Sequence, residues 1–236
     1  MSEPLLIRYL QPLLAGRRAE CFDLIQEALQ QGKPPDSISF DVIWPAMLQV
    51  ERLFRDDRID VAVNNMACRI NRTVTDQVQA HLPKKTRNDR RIIIVCAEDE
   101  REAIGGQMLA DLFQADGWDV YLLSAAIPDD ELLKLVGNLR PEALMIYGTQ
   151  PPEVPHVRRF VELIREIGVC PSMNIVASGG VFNRVDGLWQ EVGADAFVEQ
   201  PNEVVQSVNE LAPRIPGHRK IGIVKKRRRR RKVAVC

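Results

Sequence analysis

Few residues of this 236-residue chain have the type and spacing that chemistry requires. The five cysteines and three histidines are scattered, with no Cys-x-x-Cys pair and no zinc-ligand spacing. The sequence also lacks a Walker-type phosphate loop and a nucleophile–base constellation, which disfavours an enzyme. His156 is the one histidine expected near a cleft, where its neutral imidazole could ligate a haem iron or cobalt. A surface position at a helix start is the alternative.

Three glycines mark places where a ligand could approach the backbone closely, because a Cβ would occupy the space. They are Gly105, Gly179 and Gly180. Tight turns of an α/β domain explain the same glycines. Glu100 and Glu102 belong to an acidic loop that could take a hard cation or could simply be solvated.

Charge is distributed unevenly along the chain, although bases and acids both number 32. Residues 217–236 carry ten bases and no acid, so residues 1–216 hold 22 bases against 32 acids. The basic segment predicts either binding to a polyanion (nucleic acid, anionic lipid or an acidic partner) or a loose, disordered tail. The candidate polyanion-binding residues are Lys225, Lys226, Arg227, Arg228, Arg229, Arg230, Arg231 and Lys232.

Residues 1–82 have the apolar spacing of helices throughout. The pattern predicts a first helix ending near Gly16 and a second ending near Gly32. A third contains Pro45, which should kink or offset it, and a fourth runs from about Asp60 to His81. Four helices joined by short loops predict an antiparallel bundle.

After a polar linker at 83–90, short β-branched runs alternate with helical patterns over residues 91–214. The predicted strands are residues 92–95, 120–123, 143–147, 175–177 and 196–198. This alternation predicts an α/β domain with a five-stranded, doubly wound parallel sheet that binds ligands at the carboxyl ends of its strands. Residues 215–236 are predicted to form a basic tail that follows the α/β domain.

The chain has no apolar run near 18 residues, and its mean hydropathy is −0.17, so we predict no membrane span. No signal-peptide pattern leads the sequence, which favours a cytoplasmic protein.

The run GGQMLADLFQADGWDV, from Gly105 to Val120, resembles the cobalamin-binding domain family. In that family the preceding loop reads D-x-H-x-x-G or E-x-H-x-x-G, a Ser and a Thr or Leu follow on the third strand, and Gly-Gly follows the fourth. This chain has the sequence ERE at 100–102, then Tyr147-Gly148-Thr149, then Gly179-Gly180, at matching spacings. The preceding bundle resembles the cap of methionine synthase and of cobalamin-dependent photoreceptor regulators. The resemblance implies a Rossmann-like or flavodoxin-like domain under a helical cap.

Contact positions of that family have changed in this chain. Glu102 stands where the family histidine ligates cobalt, and a carboxylate is a poor replacement for imidazole. Tyr147 stands where a small serine lines the slot for the nucleotide tail, so its ring could fill that slot. The photoreceptor branch carries Trp, nine residues and then Glu-His in the cap, where this chain has Phe54 and Asn64-Asn65. These changes imply that the family's standard cobalt chemistry is lost.

The resemblance leaves three classes of function open. We expect a non-enzymatic sensor or regulatory protein that binds cobalamin base-on, or a related tetrapyrrole such as haem or a bilin, between bundle and sheet. It would signal through a regulatory protein partner or through its tail, and it could form homo-oligomers. A cofactor-free scaffold and a corrinoid carrier subunit of a methyltransferase are the alternatives. The candidate cofactor contacts are Phe54, Asn64, Asn65, Glu100, Glu102, Gly105, Tyr147, Thr149, Gly179 and Gly180, with His156 as a candidate metal ligand.

Overall fold

The computed structural model describes residues 3–96 and 100–215, with the backbone alone at 100–102. Helices fill the first part of the chain: α1 (Leu5–Leu14), α2 (Arg18–Gln30), α3 (Pro35–Ile38), α4 (Trp44–Arg55) and α5 (Val61–Gln79). A π-helical turn at Ser39–Ile43 joins α3 directly to α4, so the two form one interrupted helix. Counted in this way, the predicted four helices are present.

Pro45 explains the interruption between α3 and α4. It lies in the first turn of α4, directly after the π-helical turn. In a regular helix its ring would collide with the carbonyl of Asp41, and it has no N–H to donate. The wider π turn removes both conflicts, so the predicted offset takes the form of one extra residue in a turn.

The helices pack around a continuous apolar core that contains one buried polar pair. The Tyr9 hydroxyl donates to Oδ1 of Asn71 at 2.8 Å, which gives each of these two buried atoms a hydrogen-bond partner. Ile104 and Met108, from the next helix of the chain, belong to the same core. The helical cap and the α/β unit therefore share buried side chains.

Strands and helices alternate over the rest of the described chain. The elements are β1 (Arg91–Cys96), α6 (Glu100–Ala115), β2 (Asp119–Ser124), α7 (Asp129–Leu139), β3 (Ala143–Tyr147), α8 (Val154–Ile167), β4 (Asn174–Ser178), α9 (Leu188–Glu191), β5 (Ala196–Val198) and α10 (Val204–Glu210). All pairs are parallel, and the strand order is β2-β1-β3-β4-β5. The doubly wound α/β prediction is confirmed, and each strand begins and ends within one residue of its predicted limits.

The two faces of the sheet are covered by different helices. Odd-numbered residues of β3, such as Met145 and Tyr147, pack in a core with α6 and α10. Even-numbered residues, such as Leu144 and Ile146, pack in a core with α7 and α8. Successive strands are added on one side of β1 first and then on the other, so the strand order reverses between β1 and β3. In open sheets of this kind, ligands bind at the carboxyl ends of the strands at this point.

Helix α5 of the cap packs against α6. At this contact Nε2 of Gln107 donates to Oδ1 of Asp76 at 2.6 Å. No helix within the described residues combines the length and apolarity needed to cross a membrane.

Candidate functional site

A cluster of glycines surrounds the ring of Tyr147 at the carboxyl end of β3. The ring is 3% exposed. A Cβ at Gly105 would overlap the Tyr147 hydroxyl, and a Cβ at Gly179 would lie 2.6 Å from Cε2 of the ring. A side chain at either position would displace the tyrosine. Gly105 and Gly179, which the sequence predicted to admit a ligand, therefore make room for a side chain of the protein itself.

Gly180 has a different reason for being glycine. Its φ is +56°, and a Cβ would overlap the carbonyl oxygen of Thr149. That oxygen accepts a hydrogen bond from the N–H of Val181 at 2.8 Å, and the N–H of Gly179 donates to Oδ1 of Asn183 at 3.0 Å. Thr149, which is 3% exposed, is held by this turn. The tight-turn interpretation thus accounts for Gly180, and contact with the tyrosine accounts for Gly179.

A cleft of about 170 Å³ separates α4 from the loops that follow β3 and β4. Its walls combine apolar surface with two guanidinium groups; they are formed by Trp44, Met47, Leu48, Glu51 and Arg55 of α4 and by Tyr147, Gly179, Gly180, Asn183 and Arg184 of the loops. Leu48 is 49% exposed, so apolar surface is open to solvent here. Pockets for drug-sized ligands and cofactors measure about 300–1000 Å³, so a macrocycle would need a wider cleft than this conformation offers.

The three cap residues singled out from the sequence do not line this cleft. Phe54 is 38% exposed near the end of α4 but lies outside the cleft wall. Asn64 is half-buried in α5, and Oδ1 of the exposed Asn65 accepts from Nε of Arg69 at 3.1 Å. The structure therefore does not bring these residues together with Gly179 and Gly180.

Glu100 and Glu102 begin α6, but their side chains lie outside the described part of the structure, as do residues 97–99. Their roles toward a cation or cobalt stay predictions. Among the residues whose positions are described, no three His, Cys, Asp or Glu side chains gather as a metal site.

His156 lies in a second, smaller cavity on the other face of the sheet. Its Nε2 is 3.0 Å from Oδ1 of Asp129, so α8 and α7 are joined at this point. The cavity has a volume of about 80 Å³ and apolar walls that include Ile146 and Phe160. Tyr147 lines both cavities, but His156 is not among the residues that line the cleft beside α4.

Sequence reasoning missed Asp111, a buried carboxyl group on α6 at the contact with the cap. It is 9% exposed, and its Oδ2 has no hydrogen-bond partner within the described residues. Burial, and then repulsion by Asp76, raise its pKa from the usual 3.8 to about 7, while a hydrogen bond with Gln79 acts in the other direction. A single acidic residue in an amphipathic helix gives no pattern that would have marked it.

Comparison with known families decides the ancestry of this fold. A family model described as B12 binding domain matches residues 90–208, and a second model with the same description matches residues 5–79. The chain belongs to the B12-binding domain family. The resemblance inferred from the sequence is thereby confirmed for both the helical cap and the sheet. A comparison with curated protein sequences gives no significant match.

Solved structures resemble the chain at low sequence identity. The monomethylamine corrinoid protein of Methanosarcina barkeri is 16% identical, with a TM-score of 0.75, over 88% of this chain and 98% of that one. A cobalamin-binding protein from Desulfitobacterium hafniense DCB-2 is 17% identical (TM-score 0.46, 88% and 98% covered). The methanol:cobalamin methyltransferase complex MtaBC of Methanosarcina barkeri is 15% identical (TM-score 0.44, 90% and 83% covered). The first likeness establishes a shared fold.

The described residues of this B12-binding-domain protein fit cobalamin in part. The cleft beside α4 offers apolar surface for one face of a corrin macrocycle. The glycine cluster offers no free space to a ligand, because the Tyr147 ring fills it. No histidine lines the described walls of the cleft.

Proposed function

We propose that this protein binds a corrinoid between its helical cap and the carboxyl end of its sheet and acts as a non-enzymatic sensor. The cleft between α4 and the loops after β3 and β4 is the observation that carries the proposal. It lies where two B12-binding family matches meet in space, and it has the apolar wall that a macrocycle requires.

The bound corrinoid would keep its own base on cobalt. The chain has Glu102 in place of the family histidine, and the described cleft wall contains no imidazole. A sensor function needs only a ligand state that changes the cap, which a partner protein then recognises.

The alternative is a corrinoid carrier in a methyltransferase system, which the description of the monomethylamine corrinoid protein supports. A carrier must exchange a methyl group at cobalt, and the missing histidine argues against this. Faster transfer of the methyl group from methylcobalamin to a thiol in the presence of the protein than in free solution would favour the carrier.

The first experiment is a titration of the purified full chain with cobalamin, haem and biliverdin, followed by absorbance. We expect a stoichiometric, shifted spectrum with cobalamin. A spectral shift with haem or biliverdin alone would show that the ligand is another tetrapyrrole and not a corrinoid. No spectral shift with any of the three would favour the cofactor-free scaffold.

Two exposed aliphatic residues of the cap provide a matched pair of variants for this titration. Leu48→Glu places a charge on the cleft wall and should weaken corrinoid binding at least about tenfold. Ile7→Glu changes a residue of similar exposure on α1, outside the cleft, and should leave affinity unchanged. Equal effects of the two substitutions would contradict the proposed location.

The basic residues 225–232 lie outside the described residues, so polyanion binding is proposed from the sequence. The described chain ends at the amino edge of the sheet, where Nε of Arg214 donates to Oδ1 of Asp195 at 3.0 Å and its N–H donates to the Ser172 carbonyl at 2.9 Å. The cleft lies at the opposite edge. Binding to a nucleic acid or to anionic vesicles should therefore fall steeply with salt, vanish on deletion of residues 217–236, and be unaffected by corrinoid.

A further inference from the structure

Tyr147 bears on which part of a bound corrinoid the protein recognises, a role that rests on the proposed corrinoid binding. We infer that Tyr147 determines specificity by occupying the space that a nucleotide tail would need. The protein then binds a corrinoid through its macrocycle and holds the tail outside the sheet.

The surroundings of the ring explain why a tail cannot share this space. Tyr147 pairs with Cys96 of β1 on one side and with Ser178 of β4 on the other. Gly105 and Gly179 lie against its ring so closely that neither can carry a Cβ. The adjoining Gly106 is also close-packed, although against Cys96: a Cβ there would lie 2.9 Å from Cβ of Cys96. Where one carbon does not fit, a heterocyclic base does not fit either.

Displacing the ring offers no easy route of entry. Tyr147 is 3% exposed and belongs to the core formed with α6 and α10. A tail could enter only by moving this aromatic ring out of the core and into water, which costs the ring its apolar burial. A ligand without a tail, or with its tail elsewhere, avoids that cost.

The mouth of the cleft provides a partner for a tail that stays outside. The nucleotide tail of cobalamin contains a phosphate, and guanidinium groups bind phosphate well. The exposed Arg184 lines the loop wall of the cleft, and Arg55, on the α4 wall, lies 4.0 Å from Oε1 of Glu51. Arg184 makes no ion pair with any described residue, so its charge is available there.

The test compares two corrinoids on the full chain: cobalamin, and cobinamide, which lacks the nucleotide tail. The wild-type protein should bind both with dissociation constants within about threefold of each other. The absorbance spectrum of bound cobalamin should show its own base still on cobalt.

Tyr147→Ser opens the space, so it should tighten cobalamin binding by about tenfold or more and leave cobinamide unchanged. Tyr147→Phe keeps the ring and should behave as the wild type. Because truncation of a buried tyrosine leaves a cavity, Arg184→Gln serves as a second, surface variant. It should weaken cobalamin about twofold to threefold while cobinamide affinity stays constant.

The outcomes separate this inference from the proposed function. A wild-type preference for cobalamin of tenfold or more, with the tail base displaced from cobalt, would overturn the role of Tyr147 alone. Binding of neither corrinoid by the wild type or by Tyr147→Ser would overturn the proposed function. If Tyr147→Ser binds cobalamin and the wild type binds neither corrinoid, the proposed corrinoid binding by the natural chain is overturned. The same result would support Tyr147 as the residue that excludes cobalamin.

Discussion

Replacing Asp111 with asparagine should remove a pH-dependent cost of packing α6 against the cap. The carboxyl group is 9% exposed and faces Asp76, so its pKa rises from the usual 3.8 to about 7 in the folded protein. The folded state therefore binds this proton more tightly than the unfolded state does. The stabilisation that comes from this bound proton is fully present below the unfolded pKa and is lost as the pH rises to about 7. At about 1.36 kcal/mol per pH unit, the whole displacement corresponds to about 4 kcal/mol.

The Asp111→Asn variant should be more stable than the wild type by about 2 kcal/mol at pH 5 and by about 4 kcal/mol at pH 8. Urea unfolding at both pH values measures this difference. Asp130→Asn is the control, because Asp130 is an exposed carboxylate of α7 paired with Lys134 at 2.9 Å. Asp130→Asn should not become more stabilising between pH 5 and pH 8. The same gain at pH 5 and pH 8 for Asp111→Asn would refute the raised pKa.

Three further substitutions test the packing of the fold. Gly105→Ala should lower the free energy of unfolding by about 1–3 kcal/mol through overlap with Tyr147, and combining it with Tyr147→Ser in a double-mutant cycle should recover part of the loss. Tyr9→Phe leaves Oδ1 of Asn71 without its donor in the core and should cost about 1–3 kcal/mol by urea unfolding. Asp195→Asn removes the charge that two arginines share, and thermal unfolding should show a loss of about 2–4 kcal/mol; an unchanged midpoint would mean that the pairs contribute nothing.

The fold could be predicted from the sequence because its local signals agree with its packing. The run at 92–95 is β-branched and uninterrupted, as a strand covered on both faces requires, and β1 is covered by helices on both faces. The position of Pro45 predicted a disturbance in the third helix, but the π-helical form of that disturbance depends on how the whole helix packs, which spacing does not encode.

The site was less accessible to sequence reasoning, because it depends on how the cap lies against the sheet. Similarity to the photoreceptor regulators directed attention to Phe54 and Asn64. The α4 wall of the cleft instead includes Trp44 and Leu48, which precede Phe54 by ten and six residues. The loop residue Arg184 was missed for the same reason, since it meets α4 only through tertiary packing. Tyr147 was recognised as an unusual residue, but the direction of its ring came from the structure.

The fit between Tyr147 and its glycines changes what those glycines can be taken to mean. A Gly-Gly pair after the fourth strand would ordinarily favour a ligand that approaches the backbone. Here Gly105 and Gly179 are required by the tyrosine, and Gly180 by the Thr149 carbonyl, so all three would be needed in a protein that binds nothing. The case for a ligand consequently rests on the cleft beside α4 and on the family match across the cap. A substitution on the α4 wall is therefore a more decisive test of ligand binding than a substitution in the glycine motif.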